Sequence, residues 1–212
     1  MGLSYTNITT YGTTQNDLVW YLSGLRRDAY VSPTVRKATV VYDRKSEDQG
    51  PDLGKLACDI SVRFECVALA TLLHDGGVFW YQLWNAGEVI DEYNSNPGYF
   101  TGVVTAMPEG GNAERLSGAF DAPDAIKDVD NILKLPNYGA NKPSEARRIA
   151  ADDRHQELIQ ALGLPPFAAG FGFDSIKIGE LPQGISKTAL MRTAINARHS
   201  PDSEPPKQLQ LF

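Results

Sequence analysis

Three histidines, two cysteines and 26 carboxylates are the residues through which this chain could do acid–base, nucleophilic or metal chemistry. Their spacing does not favour any of these. His74, His155 and His199 form no HxxxH or HExxH pair, the spacing that sets two imidazoles on one helix face around zinc. His74-Asp75 precedes Gly76-Gly77, where a tight turn calls for Asp-Gly. His155 follows Asp152 and Asp153, but it shares a helical stripe with Ala151, Leu158 and Leu162, the pattern of a hydrogen-bonded core histidine. Asp91 and Glu92 are neighbours on a strand and project to opposite faces, so they make no acid–base pair by themselves. No GxSxG nucleophile elbow occurs. Gly179 to Gly184 has P-loop spacing, but Ile185-Ser186 separates it from Lys187-Thr188, and no strand precedes it. Gly170-Phe171-Gly172 begins like a dinucleotide fingerprint, yet Ser175 stands where the third glycine belongs, and no helix is expected to open there. Cys58 and Cys66 are too few for a disulfide framework or a cysteine zinc site and read as small buried hydrophobes. No catalytic residue, metal ligand or cofactor follows from these patterns. One cryptic alternative remains, a hydrolase-type acid site of His155, Asp91 and the glycine-rich segment, which requires their convergence in a concave pocket.

The aromatic residues offer a different chemistry, that of contact. Trp80 and Trp84 share one face of a strand, and Phe79 and Tyr81 share the other; Tyr93, Tyr99 and Phe100 lie just beyond. Aromatic side chains with a polar handle suit interfaces and pockets. Burial in a central strand accounts for them as well, and ordinary burial preferences favour it. Trp80, Trp84 and Tyr93 are therefore the candidate contact surface. Solvent exposure of Trp80 or Trp84 in a contiguous apolar patch is the deciding feature.

The elements that would carry these side chains are legible. Tyr5 to Tyr11 reads as a strand broken by Gly12. Thr14 caps a helix in which Leu18, Tyr21, Leu22 and Leu25 recur at helical spacing. Two short strands follow, Ala29–Ser32 and Lys37–Tyr42, and then a charged loop ending in Gly50-Pro51. A second amphipathic helix runs from Asp52 to Phe64, with Leu53, Leu56, Ala57, Ile60 and Phe64 as its stripe. Cys66–Leu73, Val78–Trp84 and Glu88–Tyr93 read as strands joined by tight turns. The order β-α-β-β-α-β-β-β predicts an α+β fold, an antiparallel sheet with two helices packed on one face, and its first six elements match a split β-α-β unit.

Beyond Asn94 a glycine- and proline-rich connection leads to helices at about Ala113–Phe120, Pro123–Leu135 and Pro143–Leu162. An extended apolar piece at Phe167–Pro182 and a last helix at Ser186–Arg198 complete this helical C-terminal part. Residues 1–198 thus read as one domain, a sheet-rich half to 94 and a helical and extended half from 95. Residues 199–212 read as a disordered tail bearing a short motif.

Composition bounds the partners. The chain has 212 residues, a net charge of −6, 42% hydrophobic and 22% charged residues, as globular proteins do. The acidic balance argues against broad phosphate-backbone binding, so no direct nucleic-acid contact is expected. No apolar run is long enough for a membrane span, and the first residues lack a signal pattern. A reduced, cytoplasmic setting is the expectation.

The tail carries the most specific spacing. Gln208-Leu209-Gln210-Leu211-Phe212 resembles the pentapeptide by which bacterial replication and repair proteins dock on the sliding clamp. That pattern is Gln-Leu, a small or polar residue, then Leu-Phe, and it is met at Gln208, Leu209, Leu211 and Phe212. Gln210 departs from the usual Ser or Asp at the tolerant position. The resemblance covers five residues of 212 and implies nothing about the fold. Two or three apolar anchors entering a groove at about 1.5–3 kcal/mol each, less the cost of ordering, give micromolar binding. The body, in FWYQLWNAGEVIDEY and RHQELIQALGLPPFAAGFGF, resembles bacterial proteins with no assigned activity. The expectation is a non-enzymatic bacterial protein that binds a protein partner, tethered to the sliding clamp in DNA replication or repair. The alternative is an immunity- or regulatory-type module using its aromatic surface.

Overall fold

The computed structural model describes residues 2–48, 52–101, 107–137, 148–196 and 200–203. Its first six elements are β1 (Tyr5–Tyr11), α1 (Gln15–Gly24), β2 (Ala29–Val31), β3 (Ala38–Asp43), α2 (Asp52–Phe64) and β4 (Val67–His74). β1 pairs antiparallel with both β3 and β4, and β2 pairs antiparallel with β3. The order β4-β1-β3-β2 is that of a split β-α-β unit. β5 (Val78–Asn85), β6 (Glu88–Asn94) and β7 (Glu109–Gly110) extend the sheet beyond β4 as a meander, and β8 (Met191–Arg192) closes the other edge on β2. The expected α+β class, with an antiparallel sheet and two helices on one face, is the observed one.

Local chemistry explains these elements. Thr14 caps α1, its side chain accepting from the Asp17 amide. Asp75 and Gly76 turn the β4–β5 hairpin with φ of 49° and 62°, the positive values that such a turn needs. The stripe Leu53, Leu56, Ala57 and Ile60 is buried against Ile8, Val41, Ala68 and Ala70 on the sheet. Period-2 alternation sends Tyr5, Val40, Tyr42, Leu69, Phe79, Tyr81 and Leu83 to the opposite face. That face is covered by α3 (Ala113–Ala119), α4 (Ile126–Lys134), α5 (Ala151–Ala161) and α6 (Phe173–Lys177). The sheet therefore has a core on both sides.

The C-terminal part departs from the sequence expectations. Residues 186–196 contain no helix; they supply β8 instead, and Thr193 Oγ1 donates to the Arg27 carbonyl. Phe167–Pro182 is not extended throughout, because α6 forms at Phe173. A five-residue helix thus opens after Gly172, and the Glu47 carboxylate already occupies its start by accepting from the Phe173 amide at 3.2 Å. Of the helix expected over 143–162, Ala151–Ala161 is observed, and 143–147 lie outside the described residues. Residues 200–203 pack on the body: the Gly24 Cα has no room for a Cβ beside Pro201, and Arg63 donates to the Ser203 carbonyl at 3.1 Å. His199 and the motif 208–212 lie outside the described residues. Among those described, no helix is long and apolar enough to cross a membrane.

Candidate functional site

The sheet face carrying Trp80, Gln82 and Trp84 is only partly covered. α2 lies over β1, β4 and the near side of β5, leaving a groove of about 550 Å³ alongside it. Leu53, Gly54 and Lys55 of α2 form one wall. Leu72, Val78, Trp80, Gln82, Trp84 and Asn94 form the floor, and Phe100 stands at the rim. Gly54 brings the helix close, since a Cβ there would lie 2.6 Å from Gln82 Oε1. Gln82 in turn donates to Glu92 Oε1 at 2.5 Å. Phe100 is 69% exposed. It packs edge-on to Tyr99 and lies 5.3 Å from the His74 ring, so the turn at 99–101 is fastened to the β4–β5 hairpin. Trp80 and Trp84 are half-buried. The Trp84 indole Nε1 is buried with no hydrogen-bond partner among the described residues. The lining includes a single titratable group, Lys55, and no nucleophile. Such a surface can hold an apolar segment.

Trp80 and Trp84 thus share the groove, as their spacing predicts. Tyr93 does not. It is 1% exposed on the opposite face, stacked on Tyr81 at 5.3 Å, with its hydroxyl donating to the Leu133 carbonyl. The cause is a β-bulge between Leu83 and Trp84. A regular continuation from the Asn85–Glu88 pair would set Tyr93 opposite Trp80. The bulge shifts the register by one, so Tyr93 pairs with Tyr81 and turns over. Lys55, Gln82 and Asn94 joined the site without having been expected, and Phe100, named in the aromatic band, had been left out of the contact surface. Phe100 carried a readable signal, a large apolar residue next to a Gly/Pro/Asn-rich connection.

The catalytic candidates take separate, structural partners. His155 is fully buried between the rings of Phe79, at 4.7 Å, and Tyr5, at 5.9 Å. Its Nδ1 lies 2.7 Å from the Tyr5 hydroxyl, which also accepts from the Gly170 amide. The two groups share one hydrogen bond, and the imidazole is neutral. Desolvation drives its pKa down to about 3, and burial drives that of Tyr5 up. Asp91 instead accepts from the Tyr81 hydroxyl at 2.7 Å and the Asn112 amide at 2.9 Å. The convergence that an acid site of His155 and Asp91 would need is not observed. Cys66 is buried and Cys58 half-buried, and both are free thiols. Among the described residues no group of His, Cys, Asp and Glu is arranged to hold a metal.

A second cleft, of about 500 Å³, is charged. Arg27 at its edge donates to Asp43 through Nε at 2.9 Å and through Nη2 at 2.5 Å, and reaches Asp52 at 2.5 Å. Asp28 is shared between Arg192 at 2.9 Å and Arg44 at 3.8 Å. These pairs tie the ends of β2 and β3 to α2 and β8. Comparison of the chain with protein-family models, with curated proteins and with solved structures finds no match.

Proposed function

We propose that this chain is a bacterial protein-interaction protein. It holds a protein partner at the aromatic groove and docks on the replication sliding clamp through Gln208, Leu209, Leu211 and Phe212, in the service of DNA replication or repair. The observation that carries the interaction reading is the groove itself, with two half-buried tryptophans on its floor and a 69%-exposed phenylalanine at its rim. A chain that could bury these rings by simple repacking gains about 1.5–3 kcal/mol for each large side chain. Leaving them in a concave face is the arrangement of a contact surface. The clamp half of the reading rests on the pentapeptide and on the proline-bearing stretch before it.

The test is a parallel binding experiment on the full-length chain, the Leu211→Ala/Phe212→Ala variant and the Phe100→Ser variant. Purified sliding clamp is expected to bind the wild type with micromolar affinity and to lose more than tenfold with the tail variant. Clamp binding that survives the tail variant, or that the wild type lacks, refutes the clamp reading. The groove favours one second reading, an immunity- or regulatory-type module. There, a specific partner is lost with Phe100→Ser while no form binds clamp.

A further inference from the structure

We propose that the aromatic groove is the resting seat of the chain's own C-terminal segment. Leu209, Leu211 and Phe212 dock there in cis, so the groove and the sliding clamp compete for one peptide. The competition rests on the clamp reading above; the docking does not.

Two observations carry the docking. The first is where the described chain ends. Ser203 is held by Arg63, in the last turn of α2, and the first turn of the same helix walls the groove. From Arg63 back to Leu53 is about 15 Å at 1.5 Å per residue, and the helix is about 10 Å wide. An extended chain reaches roughly 20 Å from Ser203 to Leu209 and roughly 30 Å to Phe212. Pro205-Pro206 favours that extension. The segment is long enough to round the helix and lie along the groove, with little slack to lose.

The second observation is chemical fit. Leu53, Trp80 and Phe100 present apolar walls, while Gln82 and Asn94 present amides between them. A peptide with apolar residues at 209, 211 and 212 and glutamines at 208 and 210 matches this alternation.

A short linker gives an effective concentration near millimolar. For an intrinsic peptide–groove Kd of about 0.1–1 mM, the seat is then filled half to nine-tenths of the time. Clamp affinity is lowered by the same competition, about 2- to 10-fold.

The experiment uses the full-length chain labelled with 5-fluorotryptophan, whose three tryptophans are assigned by single Trp→Phe variants. Leu211→Ser/Phe212→Ser is expected to move the Trp80 and Trp84 fluorine resonances and to leave Trp20 in place. Added QLQLF peptide should reverse the movement. Phe100→Ser, at an exposed rim position, should raise clamp affinity about 2- to 10-fold. Unmoved Trp80 and Trp84 resonances overturn the docking whatever the clamp does. Moved resonances with no clamp binding by any variant uphold the docking and sink the clamp reading. A movement that depends on protein concentration places the peptide in a second copy's groove and overturns docking in cis.

Discussion

His155 makes the stability of this protein pH-dependent in a calculable way. Its imidazole is wholly buried and neutral, with Nδ1 occupied by the Tyr5 hydroxyl and Nε2 without a partner among the described residues. In the fold its pKa lies at about 3, against 6.5 when solvated. Between these values the unfolded chain binds a proton that the folded chain refuses, so stability falls as pH is lowered. The contribution is nearly complete at pH 7, begins to be lost through pH 6.5, and declines by about 1.4 kcal/mol per pH unit until about pH 3. From pH 7 to pH 4.5 the loss is about 2.5 kcal/mol. Glu47, whose burial raises its pKa, acts with the opposite sign, and other carboxylates contribute as well. The clean measure is therefore a difference. Urea unfolding of the wild type and of His155→Gln, run from pH 7.5 to 4.5, isolates the imidazole, because the glutamine amide can donate to or accept from the Tyr5 hydroxyl. The wild type is expected to lose about 2.5 kcal/mol more than the variant over this range. Parallel pH dependences, or an imidazole NMR titration near pH 6.5 in the folded protein, would refute the reasoning.

Three further outcomes follow from close contacts within the fold. Arg154, 0% exposed, donates to the Ile132, Leu133 and Leu135 carbonyls at the end of α4 and to Asn137. Arg154→Ala should cost about 3–5 kcal/mol in denaturant unfolding, and Arg154→Lys should recover only part, since one ammonium cannot span the set. Tyr81→Phe removes a hydrogen bond to the buried Asp91 carboxylate and should cost about 1.5–3 kcal/mol by the same assay. At Gly110 the backbone has φ of 72°, and a Cβ would strike the Glu92 carbonyl. Gly110→Ala should therefore cost about 1–3 kcal/mol and speed amide exchange along β6 and β7.

The sheet and α1–α2 were legible because their periodicities are clean and local. Tyr5–Tyr11 and Asp52–Phe64 begin and end where the residues say. Trp80 and Trp84 on one face followed from alternation alone. Tyr93, grouped with Trp80 and Trp84 as a contact surface, lies on the other face, because a bulge is a local register shift that leaves no mark in composition. β8 was missed since two residues pair only with the distant β2, and nothing near Met191 announces it. Arg154 did leave a trace: it falls in the apolar stripe of α5, three residues after Ala151 and four before Leu158. A cation in that stripe should have been read as a buried one seeking carbonyls.

The placement of β1 has a consequence for synthesis. This strand leaves the ribosome before both of its partners yet stands between β3 and β4, with Ile8 facing Val41 and Tyr5 facing Leu73. At about 5–20 residues per second, roughly three to fourteen seconds separate the emergence of Tyr5 from that of its second neighbour. During that wait β1 is an open template for any other nascent strand. YTNITTY is uncharged, free of Pro and Gly and rich in β-branched and aromatic residues, the composition that pairs most readily with other strands, so the middle of the sheet is built from the stretch most exposed to mispairing until β3 and β4 follow.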